Sequence, residues 1–288
     1  MMNRSGNRLT IVKWIGCKRT IGPIIDCWQA SADGWSTRQL ININYILERC
    51  RTRRYPLKMR TEETPEIAAL PLFAAMQPDV REAIFAASYL QVFPPLLTLI
   101  EAGGKPDFLY VLIDGLAELF SSNGPREVTM QLVRPVSSFI LAAAYTDHCY
   151  LMSARTLSAS RILMIPAPLL RDAIARDNSL AAAAMMEMAV RYRTVVRSLA
   201  DMKLRQTLER LGNFLLLESD QQGGAVQFEL PAEKRVIASL LGMTPENLSR
   251  ATGSLVDHGV LINGPVVQIV DRDKLIALAR PDRVIDHF

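Results

Sequence analysis

The sequence predicts an α+β protein in three consecutive parts: a β-roll, a long helix, and a terminal pair of short helices followed by a hairpin. Three observations predict it. Short apolar runs separated by turn residues fill the stretch from about Val92 to Pro166. Apolar residues then recur at steps of 3 and 4 between Met185 and Met202. Beyond Leu230-Pro231 the pattern is helix, tight turn, helix and two short apolar runs around Asn263-Gly264-Pro265. At 288 residues, 49% apolar and 22% charged, the chain can bury more than one core. No apolar run approaches the roughly 20 residues that cross a bilayer, because Glu187 breaks Ala181 to Val190. No membrane partner is expected. Four scattered cysteines (Cys17, Cys27, Cys50, Cys149) do not resemble a disulfide framework, so the expected compartment is the cytoplasm.

Residues 1–58 carry a net charge of +8 and all three tryptophans, whereas residues 59–288 carry −4. This extension lacks a sustained period of 2 or 3.6 and is expected to be poorly ordered. A basic arm touching phosphates is the alternative. Met59, followed by a polar stretch to Pro65, reads as an ordinary protein beginning.

From Pro65 to Leu90 helical spacing predicts short helices, with a break at Gln77-Pro78-Asp79. The antiparallel strands follow: Leu96 to Ile100, Phe108 to Ile113, Leu116 to Phe120, Val128 to Val133 and Arg161 to Ile165. A roll or barrel closes their edges economically. This puts the roll at residues 59–178.

Ser179 is read as the cap of the long helix, which runs to about Arg210 without glycine or proline. Met185, Met188, Tyr192, Val195, Leu199 and Met202 form an a/d seam over about three heptads. So narrow a stripe favours a coiled coil between two copies of the chain. The alternative is a helix packed on its own roll with methionine as filler. Arg191, Arg193 and Arg197 lie off the seam and are expected to be solvated. Another amphipathic helix follows Leu211-Gly212-Asn213, and residues 211–288 form the last unit.

In that unit helix, turn, helix and hairpin make the winged helix-turn-helix pattern. Thr244 is a good N-cap and Pro245 suits the first helical position. Glu246, Ser249 and Arg250 then share one face near the helix N-terminus. Arginine can pair bidentately with guanine and glutamate can accept from cytosine N4, so the trio suits base reading in a major groove. The alternative is an ordinary solvated i,i+4 pair. Val236, Ile237, Leu240, Leu241, Leu248 and Leu255 favour the first reading, because they give both helices a shared core around Gly242 and leave the polar face outside. His258 is read as a carbonyl cap or phosphate contact.

Leu230-Pro231, the run Gly242-Met243-Thr244-Pro245-Glu246-Asn247-Leu248-Ser249-Arg250, and Gln206 to Leu211 resemble the DNA-binding half of the CRP/FNR superfamily of bacterial transcription regulators. Gly104 to Ala117 resembles the glycine-punctuated strand pair of the family's cyclic-nucleotide-binding-type β-roll. The resemblance spans about Leu70 to Leu278. It implies a homodimer joined through residues 179–210 and double-stranded DNA as partner, with RNA polymerase a further one. The DNA contacts would come from Thr244, Glu246, Asn247, Ser249 and Arg250. The Glu-x-x-Ser-Arg pattern is closer to the FNR branch, which implies a palindromic site with TTGAT-like halves.

The resemblance fails where a cyclic nucleotide would bind. The family's Phe-Gly-Glu is replaced by Phe139-Ile140-Leu141-Ala142, and Asp147-His148-Cys149-Tyr150 offers no arginine, although Arg155 follows shortly. An unneutralised phosphate beside Ile and Leu costs several kcal/mol, so cyclic nucleotide binding is not expected. An iron–sulfur cluster needs four thiolates, and only Cys149 lies in the roll. No cofactor is expected. The weaker alternatives are haem ligated by His148 or Cys149, and redox sensing by Cys149. His148, Cys149 and Arg155 are the effector-site candidates. A second overall reading is a cyclic-nucleotide- or haem-responsive module acting through protein partners. Without a Ser/His/Asp set, phosphate loop or metal-ligand motif, no catalysis is expected.

Overall fold

The computed structural model describes Met59 and residues 61–286, so the reading of residues 1–58 lies outside the described residues. The first described helices are α1 (Thr64–Ala68) and α2 (Pro78–Ala87), the latter opening at the expected break with proline in its first turn. The roll strands are β1 (Tyr89–Phe93), β2 (Thr98–Ile100), β3 (Phe108–Asp114), β4 (Ala117–Asn123), β5 (Arg126–Val133), β6 (Ser137–Phe139), β7 (Ser153–Thr156) and β8 (Ser160–Pro166). They form two antiparallel sheets, ordered β1-β8-β3-β6 and β2-β7-β4-β5. Gly115, at the turn joining β3 to β4, has φ +97°, and a Cβ there would lie 2.5 Å from the Ala159 carbonyl oxygen. Only glycine fits both the dihedral and the approach.

A short helix, α3 (Leu141–Thr146), leaves β6, and α4 (Ala167–Arg176) follows β8. Ile67, Phe73, Ile84, Leu109, Leu163, Ile165 and Leu170 form the core between α1, α2, α4 and the β1-β8-β3 face. Sequence periodicity missed β1, which continues the apolar run out of α2, and β6, α3 and β7, each too short to show a period.

The long helix is α5 (Asn178–Leu204). Its cap is Asp177 and not Ser179: the Asp177 carboxylate accepts from the backbone N–H groups of Ser179 and Leu180. The Ser179 hydroxyl holds that carboxyl below the usual range, and a further bond from the Gln77 N–H ties the start of α2 to the start of α5. The helix also ends earlier than expected. Arg205 is extended, and α6 (Thr207–Gln221) begins with a capping box in which Gln206 and Glu209 bond each other's backbone. Gly212, read as a break, is helical. A Cβ on it would sit 3.0 Å from Ala279 Cβ, so the glycine serves close packing.

The last unit contains β9 (Gln227–Glu229), α7 (Lys234–Leu240), α8 (Pro245–Ser254), β10 (Val260–Asn263), β11 (Val266–Ile269) and α9 (Arg272–Ala279). The strands pair in the order β10-β11-β9. The turn from β10 to β11 is Gly264-Pro265, with Gly264 at φ +60° as a tight hairpin requires. Leu211, Leu215, Ile237, Leu248, Leu255, Val260 and Leu275 form this unit's core. It meets the roll along the edge strand β5. The Thr129 N–H donates to Ser239 Oγ on α7 at 2.7 Å, and Arg134 pairs with Glu218 of α6 at 2.6 Å.

Candidate nucleic-acid interface

Helix α8 owes its start to Thr244, whose hydroxyl accepts from the Asn247 N–H at 3.2 Å, with Pro245 in the first turn. Gly242, at φ +66°, makes the turn from α7. Leu248 and Ala251 are buried on one side of α8, with Leu255 just beyond its end, while Glu246, Asn247, Ser249 and Arg250 are all exposed on the other. The structure thus brings together the five residues singled out in the sequence, Thr244 as the cap and the other four as a solvent-facing polar surface. The Glu246 carboxyl is held below the usual range by the Thr244 hydroxyl, its own backbone N–H and the nearby Arg250 charge, so it is ready to accept hydrogen bonds at neutral pH. Arg250 Nη2 donates to Asn247 Oδ1 at 2.6 Å, which Asn247's identity alone did not announce.

On α5 only Leu180 and Ala184 are buried. Met185, Met188, Tyr192, Val195, Leu199 and Met202 are each between 39% and 74% exposed. The chain's own roll therefore does not cover the seam, contrary to the alternative of a helix packed on it. Arg191 departs from expectation. Its guanidinium donates to the Ser138 carbonyl oxygen at 2.9 Å and to Ser137 and Glu187, bridging α5 to β6 instead of standing in solvent.

The effector candidates separate. His148 and Cys149 lie in an exposed loop after α3, and both side chains face solvent. Arg155 sits in β7, where its guanidinium bonds Glu118 at 2.7 Å and Glu127 at 2.9 Å and lies over the Phe120 ring. Glu118 is 1% exposed and also accepts from the Thr129 hydroxyl. Burial alone would weaken Arg155's hold on its proton, but the two carboxylates outweigh it and raise the pKa. At the position where the cyclic-nucleotide pattern has glycine, Ile140 has φ +59°, a left-handed conformation unusual for a β-branched residue. Leu141 after it is buried. Among the described residues no group of three or more His, Cys, Asp or Glu is placed to hold a metal ion, and no helix is long and apolar enough to cross a membrane.

Family models give the decisive comparison. Residues 90–177 match the cyclic nucleotide-binding domain and residues 209–278 match the Crp-like helix-turn-helix domain, together just over half of the chain. The chain belongs to the CRP/FNR family of transcription regulators. Solved structures agree. A Silicibacter pomeroyi DSS-3 protein designated a cAMP-binding regulatory protein is 25% identical, with 76% of this chain and 100% of that chain covered at a TM-score of 0.52. FixK2 from Bradyrhizobium japonicum is 18% identical over 66% of this chain and 96% of its own, at a TM-score of 0.60. A crp/fnr-family regulator from Eubacterium rectale is 18% identical over 74% and 99%, at 0.62. A comparison with curated proteins gave no match. The chain is accordingly a CRP/FNR-type DNA-binding transcription regulator with a cyclic-nucleotide-binding-type domain. In CRP/FNR terms the departure lies in the roll, whose nearest candidate cation, Arg155, is already paired with carboxylates of its own sheet.

Proposed function

We propose that the chain acts as a homodimer that reads a palindromic DNA site, each α8 entering the major groove of one half-site, the two about one helical turn apart. Glu246, Ser249 and Arg250 read bases, Asn247 steadies Arg250, and the exposed α5 seam joins the two copies. The observation that carries this reading is the division of α8 into a buried apolar side and an exposed Glu/Ser/Arg side beginning at a capped N-terminus. Residues 211–288 carry a net charge of −3. Sequence-independent attraction to phosphates is therefore small, and discrimination rests on the local face. Lys234 and Arg235, exposed at the start of α7, supply positive charge for the backbone. A TTGAT-like half-site is the sequence that the FNR-like pattern favours, and RNA polymerase is the further partner that family membership suggests.

The roll's effector is not a cyclic nucleotide held in the usual way. A phosphate at Arg155 would have to displace Glu118 and Glu127, and removing Arg155 from the buried Glu118 leaves a charge uncompensated at a cost of several kcal/mol. Nor does an exposed His148 or Cys149 suit an axial haem ligand in an apolar pocket. A signal at the roll has a direct path to the DNA-binding unit through β5, since Thr129 bonds Glu118 on one side and Ser239 on the other.

Selection from random-sequence duplexes tests the reading. The wild-type chain should recover a palindrome, and Arg250→Ala should bind it about 1–3 kcal/mol more weakly with relaxed choice at one base pair per half-site. An unchanged base profile for Arg250→Ala would remove Arg250 from the readers.

A further inference from the structure

Gly253 sits two turns into α8, and among the described residues no side chain explains why it is glycine. At 3.6 residues per turn it lies about 20° around the helix from Glu246, between Ser249 and Arg250 in azimuth. It is exposed and faces away from the buried Leu248, Ala251 and Leu255. Neighbouring glycines have evident reasons. Gly242 and Gly264 have positive φ, Gly259 has positive φ and would press a Cβ to 2.4 Å from Asp271, and Gly212 packs against Ala279. Gly253 has a helical backbone, and a Cβ built on it meets nothing within 4 Å. Alanine would fit the fold and favour the helix, because glycine in a helix interior loses more backbone entropy on folding.

We propose that Gly253 is a depth-setting residue: its missing side chain, in the last turn of α8 and in line with the Glu/Ser/Arg face, lets that face approach the DNA, so that Glu246 and Arg250 reach base edges. The inference rests on the proposed reading of α8. A helix with its side chains is about 10–12 Å across and the major groove about 12 Å wide, so the fit is tight. The residue pointing straight into the groove controls how far the helix enters. Ser249, the neighbour on the same line, is also small, whereas the longer readers flank them. An added methyl group at this point would hold the helix axis outward and lengthen every base contact at once.

The prediction pairs two effects of opposite sign. Gly253→Ala should raise the thermal midpoint by about 2–4 °C. It should also weaken binding to the duplex recovered by the wild-type chain about tenfold, with Gly253→Leu weaker still. Unlike Arg250→Ala, it should weaken binding without relaxing choice at one particular base pair. Equal affinity of Gly253→Ala and wild type for that duplex would overturn the inference while leaving the reading of α8 intact. A lower midpoint for Gly253→Ala would also overturn it, because the fold itself would then require the glycine. Should the wild-type chain recover no preferred duplex, the reading of α8 fails and this inference with it.

Discussion

Arg250 and Arg155 both lie close to a glutamate, and the difference between them separates the two ends of the molecule. Arg250 stands on an exposed helix face, bonded to Asn247 and near a Glu246 whose carboxyl the Thr244 hydroxyl holds below the usual range. Both groups retain donors and acceptors for a partner. Arg155 is spent inside its own sheet, between Glu118 and Glu127 and against Phe120. A family motif keeps its function where its polar groups remain unsatisfied at the surface. Where they are satisfied internally, as at Arg155, fewer donors remain for a ligand. The contrast between the head, whose polar α8 face is left open, and a roll closed on itself can be broken at several points.

The largest effect should come from α5, whose exposed seam is proposed to join two copies. Replacing Val195 and Leu199 together by Glu puts four charges into a paired seam, so the variant should sediment as a monomer. Losing the second half-site removes the advantage of bivalent binding, and affinity for the palindrome should fall by about 10²-fold or more. A variant that sediments as a dimer would show that the exposed seam is not the contact between copies.

How much of this contrast was legible in the sequence depended on the length of the pattern that carried it. The head was readable because Thr244-Pro245 fixes a helix start and Leu248 and Leu255 fix the buried side, which leaves Glu246, Ser249 and Arg250 outside. The seam was readable for the same reason over more turns. Asp177 was missed as a cap because Ser179, two residues later, has an equally suitable side chain. Only the structure shows that this hydroxyl instead points to the Ala75 carbonyl oxygen and to Asp177 itself. The end of α5 was misplaced because Gly212 looks like a helix breaker, whereas its lack of a Cβ is used against Ala279. The pairing of Arg155 with Glu118 lay beyond local reading. It joins residues 37 apart through a β4–β7 register that no short-range pattern encodes.

That pairing provides the next test. If Arg155 neutralises Glu118 instead of awaiting a phosphate, Arg155→Leu should destabilise the chain by about 3 kcal/mol by leaving a buried carboxylate unpaired. Adding Glu118→Leu should recover most of that loss, which urea unfolding of the two variants would measure. An Arg155→Leu chain of undiminished stability, in contrast, would mean that the guanidinium is free for a ligand. The roll would then resemble the head in keeping its charge available.

The smallest effect concerns the junction between the two regions, where Glu218 of α6 meets Arg134 at the end of β5. Glu218 is buried, and its second carboxylate oxygen, Oε2, has no hydrogen-bond partner among the described residues. Burial raises its pKa by more than Arg134 lowers it, so the folded value lies above the unfolded one. Its contribution to stability is then fully present below the unfolded pKa and is lost as pH rises through the folded one. Glutamine cannot ionise, so Glu218→Gln should match the wild type near pH 4 and exceed it near pH 7, by about 2 °C in thermal midpoint. A gap that instead favours the wild type at pH 7 would show that the Arg134 pair outweighs burial. In that case the Arg134–Glu218 pair would clamp the roll to the head by charge, beside the Thr129–Ser239 hydrogen bond.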